Sequence, residues 1–263
     1  MPIANINGLN LNYEIRGTGP RVLFIHGIGA DLKNPMGIFN TPLPQHFTVL
    51  AFDPRGIGES ECPAEPYSMA DLADDAAGLA ASAGWDHYHV LGASMGGMVA
   101  QELALRHPSA VDRLILVVTH GGGVNSGPRV LDTLDEMSTA EKLKLSDTRK
   151  DEAWIAANPE MVKQFEARFK AARDAWHADP VRLRSYNYQV EASLKHDAFD
   201  RLPRIKAPTL VFGGRYDGGS PPEVTKAMAE QIPGARYELV ESGHGDWYFD
   251  PVVWQIIIDF LSK

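Results

Sequence analysis

The chain has 263 residues, 44% of them hydrophobic, and its formal net charge at pH 7 is −9. This is enough for one large domain with a sizeable core, and an acidic surface makes nucleic acid and anionic membranes unexpected partners. A single cysteine, Cys62, excludes an internal disulfide and fits a reducing compartment. No apolar run reaches the roughly 18 residues of a membrane span and no secretory signal is recognisable, so we expect a cytoplasmic protein.

Short apolar runs that are typical of strands recur along the chain. The first stretch, 5–16, is predicted to be a two-stranded hairpin around Asn7 and Gly8. The later runs are apolar on both faces, as buried parallel strands are; they cover 21–26, 47–52, 88–91, 114–118, 209–212 and 237–240. We therefore predict a sheet that is mostly parallel.

Helical patterns lie between these runs. Ser68 and Asp71 have the spacing of a capping box, which predicts a helix over 69–83. Further helices are predicted over 95–106, 222–231 and 251–261, the last with proline at its first position. The alternation of strands and helices predicts the α/β class, with a mostly parallel, doubly wound sheet.

One region interrupts the alternation. Residues 121–200 contain no convincing strand but several helical stretches, for example 159–176. An insertion of this size, entered through three glycines at 121–123, predicts a helical cap over the sheet. We therefore expect an α/β core formed by 1–120 and 201–263, with the cap formed by 121–200.

The strongest local signal for chemistry surrounds Ser94. The run Gly92-Ala93-Ser94-Met95-Gly96 directly follows a predicted strand and opens a predicted helix. A serine on so tight a turn needs small residues two positions before and after it, and its hydroxyl is then exposed at the carboxyl edge of the sheet. A glycine-rich turn with an incidental serine is the simpler explanation of these five residues, but the partners described next favour a nucleophile.

Serine becomes a nucleophile only beside a base. Of the nine histidines, His244 follows the last predicted strand, so its loop emerges at the same edge of the sheet as Ser94. Asp217 follows the strand before that one and is the candidate acid that orients the histidine. The chain order Ser94, Asp217, His244 is the order expected of the α/β-hydrolase arrangement and not of the other triad folds. We therefore predict these three as the catalytic residues.

Acyl transfer also requires donors for the oxyanion that develops on the carbonyl oxygen. One is expected to be the backbone N–H of Met95, directly after the nucleophile. The other is expected from the loop after the third predicted strand, where Ile28 follows His26 and Gly27. We predict the N–H of Ile28 as this second donor, and His26 as a buried structural histidine.

The motifs together resemble those of the α/β-hydrolase-fold superfamily over nearly the whole chain. The matching pieces are His26-Gly27 with Ile28, the turn 53–60, the elbow around Ser94, the segment 213–217 and Gly243-His244. Within the superfamily the chain is similar to the group of 3-oxoadipate enol-lactonases, bacterial esterases and haloperoxidase-like enzymes, since 26–32 resembles the oxyanion loop found there. The resemblance implies the α/β-hydrolase fold with a helical cap insertion.

The sequence supports two other kinds of site less well. A Gly-x-Gly pair ending at Gly29, with Asp53 further on, is reminiscent of a dinucleotide site, but Leu32 stands where the third glycine is required. His87 and His89 share one face of a strand, yet a third metal ligand at sensible spacing is missing. We therefore expect neither a cofactor nor a metal.

The expected function is hydrolysis of a carboxylic ester or lactone of a small organic molecule through an acyl-enzyme. A carbon–carbon bond hydrolase acting beside a ketone with the same triad, or a hydrolase-fold receptor that binds without turnover, remain the alternatives. A small-molecule substrate is expected, without nucleic acid or membrane partners, and the sequence leaves a homo-oligomer open.

The cap is expected to select the substrate. Its aromatic side chains favour an apolar or aromatic acyl group; they are Trp154, Phe165, Phe169, Trp176, Tyr186 and Tyr188. A dicarboxylate substrate would need a cation instead, for which Arg129, Arg182 and Arg184 are the candidates.

Overall fold

The computed structural model describes residues 2–34, 37–126, 131, 133–134 and 136–263. Eight strands among these residues form a single sheet. They are β1 (Ile3–Ile6), β2 (Leu9–Arg16), β3 (Arg21–Ile25), β4 (Thr48–Phe52), β5 (Tyr88–Ala93), β6 (Val111–Val117), β7 (Thr209–Gly214) and β8 (Arg236–Val240).

The α-helices of the described residues lie between these strands and after the last one. They are α1 (Met69–Ser82), α2 (Met95–Arg106), α3 (Thr139–Ser146), α4 (Glu152–Ala157), α5 (Pro159–His177), α6 (Pro180–Lys195), α7 (Pro222–Gln231) and α8 (Pro251–Leu261). None of these helices combines the length and the apolar character needed to cross a bilayer.

The sheet is parallel except at one edge. Its order is β1-β2-β4-β3-β5-β6-β7-β8; β1 pairs antiparallel with β2, β2 antiparallel with β4, and every later pair is parallel. This confirms the predicted α/β class and the mostly parallel sheet. Because parallel strands end at a common edge, the loops after β3, β5, β7 and β8 emerge on the same side of the molecule.

Both faces of the sheet are covered, which explains the apolar runs. Along β3, Leu23 and Ile25 face a core that includes α1 and α2, whereas Val22 and Phe24 face a core that includes α8. Successive side chains of a strand point to opposite faces, so a strand covered on both sides is apolar at every position. Val22 and Leu23 are 0% exposed.

Two element boundaries show how local sequence and tertiary contacts combine. The capping box is present at α1: Ser68 N donates to Asp71 Oδ2 at 2.8 Å, and Asp71 N donates to Ser68 Oγ at 3.3 Å. The strand predicted over 88–91 continues to Ala93, because Ser94 N still donates to the Val117 carbonyl at 2.9 Å. Pairing with β6 thus carries β5 directly to the serine.

The insertion between β6 and β7 is helical, and α3 to α6 lie within it. Its two ends are joined: Gly122 bridges Asp197, Ala198 N donates to Gly121 O at 2.7 Å, and Gly123 N donates to His196 O at 3.1 Å. The division into a core and a cap at 121 and 200 stays a prediction.

Candidate active site

Ser94 occupies a strained turn between β5 and α2. Its φ of 54° and ψ of −124° are outside the regions that non-glycine residues favour. Glycine is required on either side: a Cβ on Gly96 would lie 2.1 Å from the Ile25 carbonyl oxygen, and one on Gly92 would lie 2.3 Å from Gly96 O. Such strain costs about 1–3 kcal/mol and is held by the surrounding structure. It places the hydroxyl at the carboxyl edge of the sheet.

Of the three residues predicted as a triad, His244 lies within hydrogen-bonding distance of both Ser94 and Asp217. His244 Nε2 is 2.9 Å from Ser94 Oγ, and His244 Nδ1 is 2.8 Å from Asp217 Oδ2 and 3.0 Å from Oδ1. A carboxylate accepts hydrogen bonds, so Nδ1 carries the proton and Nε2 is left free to accept from the serine hydroxyl. This is the geometry in which an imidazole can remove the proton of a nucleophile.

The carboxylate of Asp217 is held by the loop that follows β7. Its Oδ1 accepts from the backbone N–H groups of Gly219 and Ser220, both at 2.8 Å. The side chain is 0% exposed. With two backbone donors and His244 as partners, a buried carboxylate is satisfied and fixed in orientation.

The end of α3 also supports the two loops that carry the acid and the base. His244 N donates to Ser146 O at 2.7 Å, and Gly218 N donates to Leu145 O at 3.1 Å. The last carbonyls of a helix have no acceptor role within the helix and need external donors. An inserted helix thereby positions both loops, which the sequence offered no means of predicting.

The backbone N–H groups predicted as oxyanion donors border the same cavity as Ser94. Met95 begins α2, and Ile28 lies in the loop after β3. Within the described part of the chain, neither N–H donates to a protein oxygen. The loop around Ile28 is anchored on both sides, because Gly29 N donates to Gln189 Oε1 at 2.9 Å and Leu32 N donates to Asp53 Oδ1 at 2.7 Å.

His26 is a buried histidine beneath this loop, as expected. It is 6% exposed, its ring meets that of Phe24 edge-on, and its Nε2 has no hydrogen-bond partner among the described residues. Burial lowers the pKa of His26 to about 4, against the opposing charge of Asp53. The ring is therefore neutral at pH 7.

A cavity of about 410 Å³ lies above Ser94 and His244. Much of its wall is apolar, and side chains from the insertion provide a large share of that wall. The apolar lining residues are Ile28, Met95, Met98, Leu131, Leu134, Leu145, Phe165, Phe169 and Leu194. A largely apolar cavity beside a serine and a histidine is suited to binding an acyl or aromatic group.

The aromatic residues proposed for the cap divide into two sets. Phe165 and Phe169 stack with ring centres 6.3 Å apart and line the cavity. Trp176 and Tyr186 pack together, and a Cβ on Gly29 would touch both rings. Tyr188, like Trp154, is not among the cavity-lining residues; it packs edge-on against Tyr67 at 6.0 Å. Only the first pair is placed to contact a substrate.

The cation at the cavity is not one of the three arginines that are candidates for binding a dicarboxylate substrate. Arg182 donates to Gly56 O at 3.5 Å, and neither it nor Arg184 lines the cavity; Arg129 lies outside the described residues. Lys142, on α3, lines the cavity instead, with its Nζ 4.3 Å from the centre of the Phe169 ring. Nothing in the local sequence of α3 distinguishes this lysine from its exposed neighbour Lys144.

Two histidines that the sequence did not single out also line the cavity, His120 after β6 and His196 after α6. Burial is the main cause that lowers the pKa of each to about 4. They are neutral at pH 7. The sequence indicates only that these two histidines follow predicted elements at the two ends of the insertion. That position does not show whether the ring points into the cavity.

The residues of the rejected dinucleotide motif have structural partners. Asp53 is fully buried and accepts from Asn12 Nδ2 at 2.7 Å, from Leu32 N at 2.7 Å and from Glu59 N at 2.8 Å. Its carboxylate is therefore engaged in holding the loop that contains Leu32 and the turn that contains Glu59. Within the described ranges, no group of three or more His, Cys, Asp or Glu residues is arranged to hold a metal ion.

Comparison with known proteins identifies the family. The alpha/beta hydrolase fold family matches residues 20–251, a range that includes Ser94, Asp217 and His244. The chain is 30% identical over 261 residues to a proline iminopeptidase, PfmaB, from Pestalotiopsis fici, covering 92% of this chain and 91% of that protein. It is 28% identical over 232 residues to a poly(3-hydroxyalkanoate) depolymerase from Ectopseudomonas oleovorans, covering 85% and 77% of the two chains.

A similar solved structure also belongs to a hydrolytic enzyme. The enol-lactonase from Burkholderia xenovorans LB400 superposes with a TM-score of 0.77 at 27% identity, covering 100% of both chains. The match in fold thus extends through the insertion as well as the sheet. These relatives are all named for hydrolytic enzymes. The chain therefore belongs to the α/β-hydrolase fold family and is a hydrolase.

Proposed function

We propose that this protein is a serine hydrolase that cleaves a carboxylic ester or lactone of a small organic molecule through an acyl-enzyme on Ser94. The observation that carries the proposal is the continuous hydrogen-bonded series from Asp217 through both nitrogens of His244 to Ser94 Oγ, at 2.8 and 2.9 Å. A carboxylate, an imidazole and a hydroxyl in this order form the general arrangement that activates a serine.

Acylation begins when Ser94 Oγ attacks the substrate carbonyl carbon. The hydroxyl proton passes to His244 Nε2, and the carbonyl π electrons move to the oxygen, which becomes an oxyanion. The N–H groups of Ile28 and Met95 donate to that oxyanion, and the loss of one such donor costs about 10²–10³ in kcat. Asp217 stabilises the imidazolium that forms on His244.

Deacylation repeats the sequence with water once acylation is complete. Acylation ends when the oxyanion re-forms the carbonyl, the carbon–oxygen bond breaks, and His244 Nε2–H protonates the leaving oxygen, so that the alcohol departs. For a lactone this oxygen stays attached to the acyl part. His244 then removes a proton from water, the hydroxide attacks the acyl carbon, and Ser94 Oγ leaves with the proton that His244 returns. The products are a carboxylic acid and an alcohol, or a hydroxy acid from a lactone.

Two of the similar proteins support a carbon–oxygen bond as the target, and the cavity supports an apolar acyl group. The cavity of about 410 Å³ accommodates a small acyl group against apolar walls such as Phe165 and Leu194. The enol-lactonase and the poly(3-hydroxyalkanoate) depolymerase are named for a lactone and for a polyalkanoate. We therefore infer a substrate whose acyl part is predominantly apolar.

Active-site labelling tests this proposal. We expect a fluorophosphonate probe to modify the wild type at Ser94, as located by peptide mass analysis, and to leave Ser94→Ala unmodified. Ser193→Ala is the matched control, because Ser193 lines the same cavity but its hydroxyl donates to Gln189 O at 2.8 Å. Modification at any residue other than Ser94 would contradict the site.

A panel of p-nitrophenyl esters and lactones then tests the reaction. The wild type is expected to hydrolyse at least one member, with kcat reduced about 10⁶-fold in Ser94→Ala and within about threefold of wild type in Ser193→Ala. A protein that is labelled at Ser94 but turns over no ester or lactone would exclude the proposed reaction.

A further inference from the structure

His120 lies three residues after the end of β6, and it lines the cavity together with Ser94 and His244. The charge of His244 is second only to burial among the causes that lower its pKa to about 4, and Asp217 acts in the opposite direction. The imidazole is therefore neutral at pH 7 and faces the triad. The triad itself is complete without it.

The tautomer of this imidazole is fixed by the backbone. Gly122 N donates to His120 Nδ1 at 3.2 Å. A ring nitrogen that accepts a hydrogen bond carries no proton, so the single proton of the neutral ring is on Nε2.

The backbone donor is itself immobilised at the neck of the insertion. Gly122 has a φ of 80°, and a Cβ there would lie 2.0 Å from His196 O, so only glycine fits. It bridges Asp197 on the returning chain. Gln101 Nε2 also donates to the backbone carbonyl of His120 at 3.0 Å. The ring is thus held in one orientation before any ligand binds.

The proton on His120 Nε2 has no protein acceptor within the ranges that the structure describes. Polar groups that are buried in proteins are nearly always hydrogen-bonded to the protein, to water or to a ligand. An oriented N–H that borders the substrate cavity is thus available to a bound molecule.

We propose that His120 selects the substrate by donating a hydrogen bond from Nε2–H to an oxygen atom that is separate from the scissile ester or lactone group. The substrate class is then a carboxylic ester or lactone with an additional ether, keto or hydroxyl oxygen in the part that fills the cavity. The inference rests on the proposed function and deepens it. His120 is a specificity-determining residue here and does not replace His244.

A role as a second base is excluded by the same contacts. Nδ1 already accepts from Gly122, Nε2 carries the proton, and the ring stays neutral at pH 7. Ser94 Oγ is paired with His244 Nε2 at 2.9 Å. A donor surrounded by apolar walls discriminates strongly, because a methylene in place of the oxygen leaves the N–H unpaired.

A set of isosteric esters tests the proposal. We would compare p-nitrophenyl hexanoate with the three analogues in which an ether oxygen replaces carbon 3, 4 or 5 of the acyl chain, dividing each kcat/KM by the rate of alkaline hydrolysis to remove inductive effects. The wild type is expected to favour at least one ether ester by about tenfold or more. A preference for none of them would overturn the proposal.

Two substitutions separate donation from packing. His120→Leu is expected to reduce the ether preference, measured as the ratio of the corrected kcat/KM values for the ether ester and the hexanoate, to within about twofold. His120→Gln, which keeps an N–H donor, is expected to retain part of the preference. An unchanged preference in His120→Leu would overturn the proposal, and persistent hexanoate hydrolysis that is lost in Ser94→Ala would show that the proposed function holds nonetheless.

The tautomer of His120 can be measured in the wild-type protein. The proposal can therefore be tested even if the His120 variants fail to fold. We would record the ¹³C and ¹⁵N signals of the histidine rings in the wild type at pH 7. The proposal requires a neutral His120 ring with its proton on Nε2. A proton on Nδ1, or a charged ring, would overturn it.

Discussion

Gly92 and Gly96 face each other across the turn that carries Ser94: a Cβ on Gly92 would lie 2.3 Å from the carbonyl oxygen of Gly96 and 2.8 Å from the Cβ of Ala100. The end of β5 and the start of α2 are therefore in direct backbone contact. The left-handed φ of Ser94 persists because this contact leaves the chain no wider path.

Gly96→Ala is expected to destabilise the protein by about 3 kcal/mol or more, because its Cβ would overlap the carbonyls of Ile25 and His26, at 2.1 and 2.5 Å. Urea denaturation measures the loss. Gly245→Ala is the matched control: it also borders the cavity, but a Cβ there would meet no atom within 4 Å. Equal stability of the two variants would show that the backbone contact is not what holds the turn.

Asp217→Asn is expected to lower kcat about 10⁴-fold with little change in stability, because the amide no longer holds the proton of His244 on Nδ1. Steady-state hydrolysis of the best ester in the panel, at pH 7, is the measurement. Asp246→Asn serves as the control, since Asp246 follows His244 by two residues but is exposed and lies 3.6 Å from Arg149. If both variants lose activity equally, Asp217 is not the orienting acid.

Stability is expected to fall with pH between about 6.5 and 4 because of buried histidines such as His26. The folded-state pKa of His26, about 4, lies below that of an exposed histidine, so the unfolded chain binds more protons in this range. The stabilisation is complete above pH 6.5 and is lost as the pH falls through the window, with a slope of up to about 1.4 kcal/mol per pH unit from this group.

The His26→Gln variant isolates this contribution. Its unfolding free energy, measured in urea at pH 7 and pH 5, is expected to change less between the two pH values than that of the wild type, whatever the variant's stability at pH 7. Identical changes in the two proteins would mean that His26 does not titrate with a lowered pKa.

Esters that end in a carboxylate are expected to be better substrates than their neutral methyl analogues because of Lys142. Of the described residues lining the cavity, Lys142 carries the only permanent positive charge. A partly exposed charge pair contributes about 1 kcal/mol, so Lys142→Met should reduce the preference for the carboxylate ester about fivefold. Methionine preserves an unbranched apolar side chain against Phe169.

The control for this change is Lys144→Met, on the same helix but exposed and absent from the cavity wall. The quantity to measure is the ratio of kcat/KM for the two esters, in low and in 0.5 M salt. Added salt should reduce the wild-type ratio, since exposed charges are screened. Equal ratios for wild type and Lys142→Met would contradict the expectation.

The sequence was sufficient to predict the features that depend on local geometry. Apolar runs identified the strands, and the Ser68–Asp71 spacing identified the start of α1, because capping is decided within four residues of chain. The glycines around Ser94 identified the elbow, since close backbone approach restricts residue type directly. Chain order was enough to predict that Asp217 and His244 would approach Ser94, because parallel strands end at one edge of a sheet.

Only the tertiary structure determined which residues line the cavity. Lys142, His120 and His196 belong to segments whose helical and loop patterns are ordinary, and which face of each segment meets the cavity depends on how the insertion packs over the sheet. The support that the carbonyls of Leu145 and Ser146 give to the loops of Asp217 and His244 is likewise independent of side-chain identity. Local sequence restricts backbone conformation and nearest neighbours, whereas contacts between segments distant in the chain depend on the packing of the whole molecule.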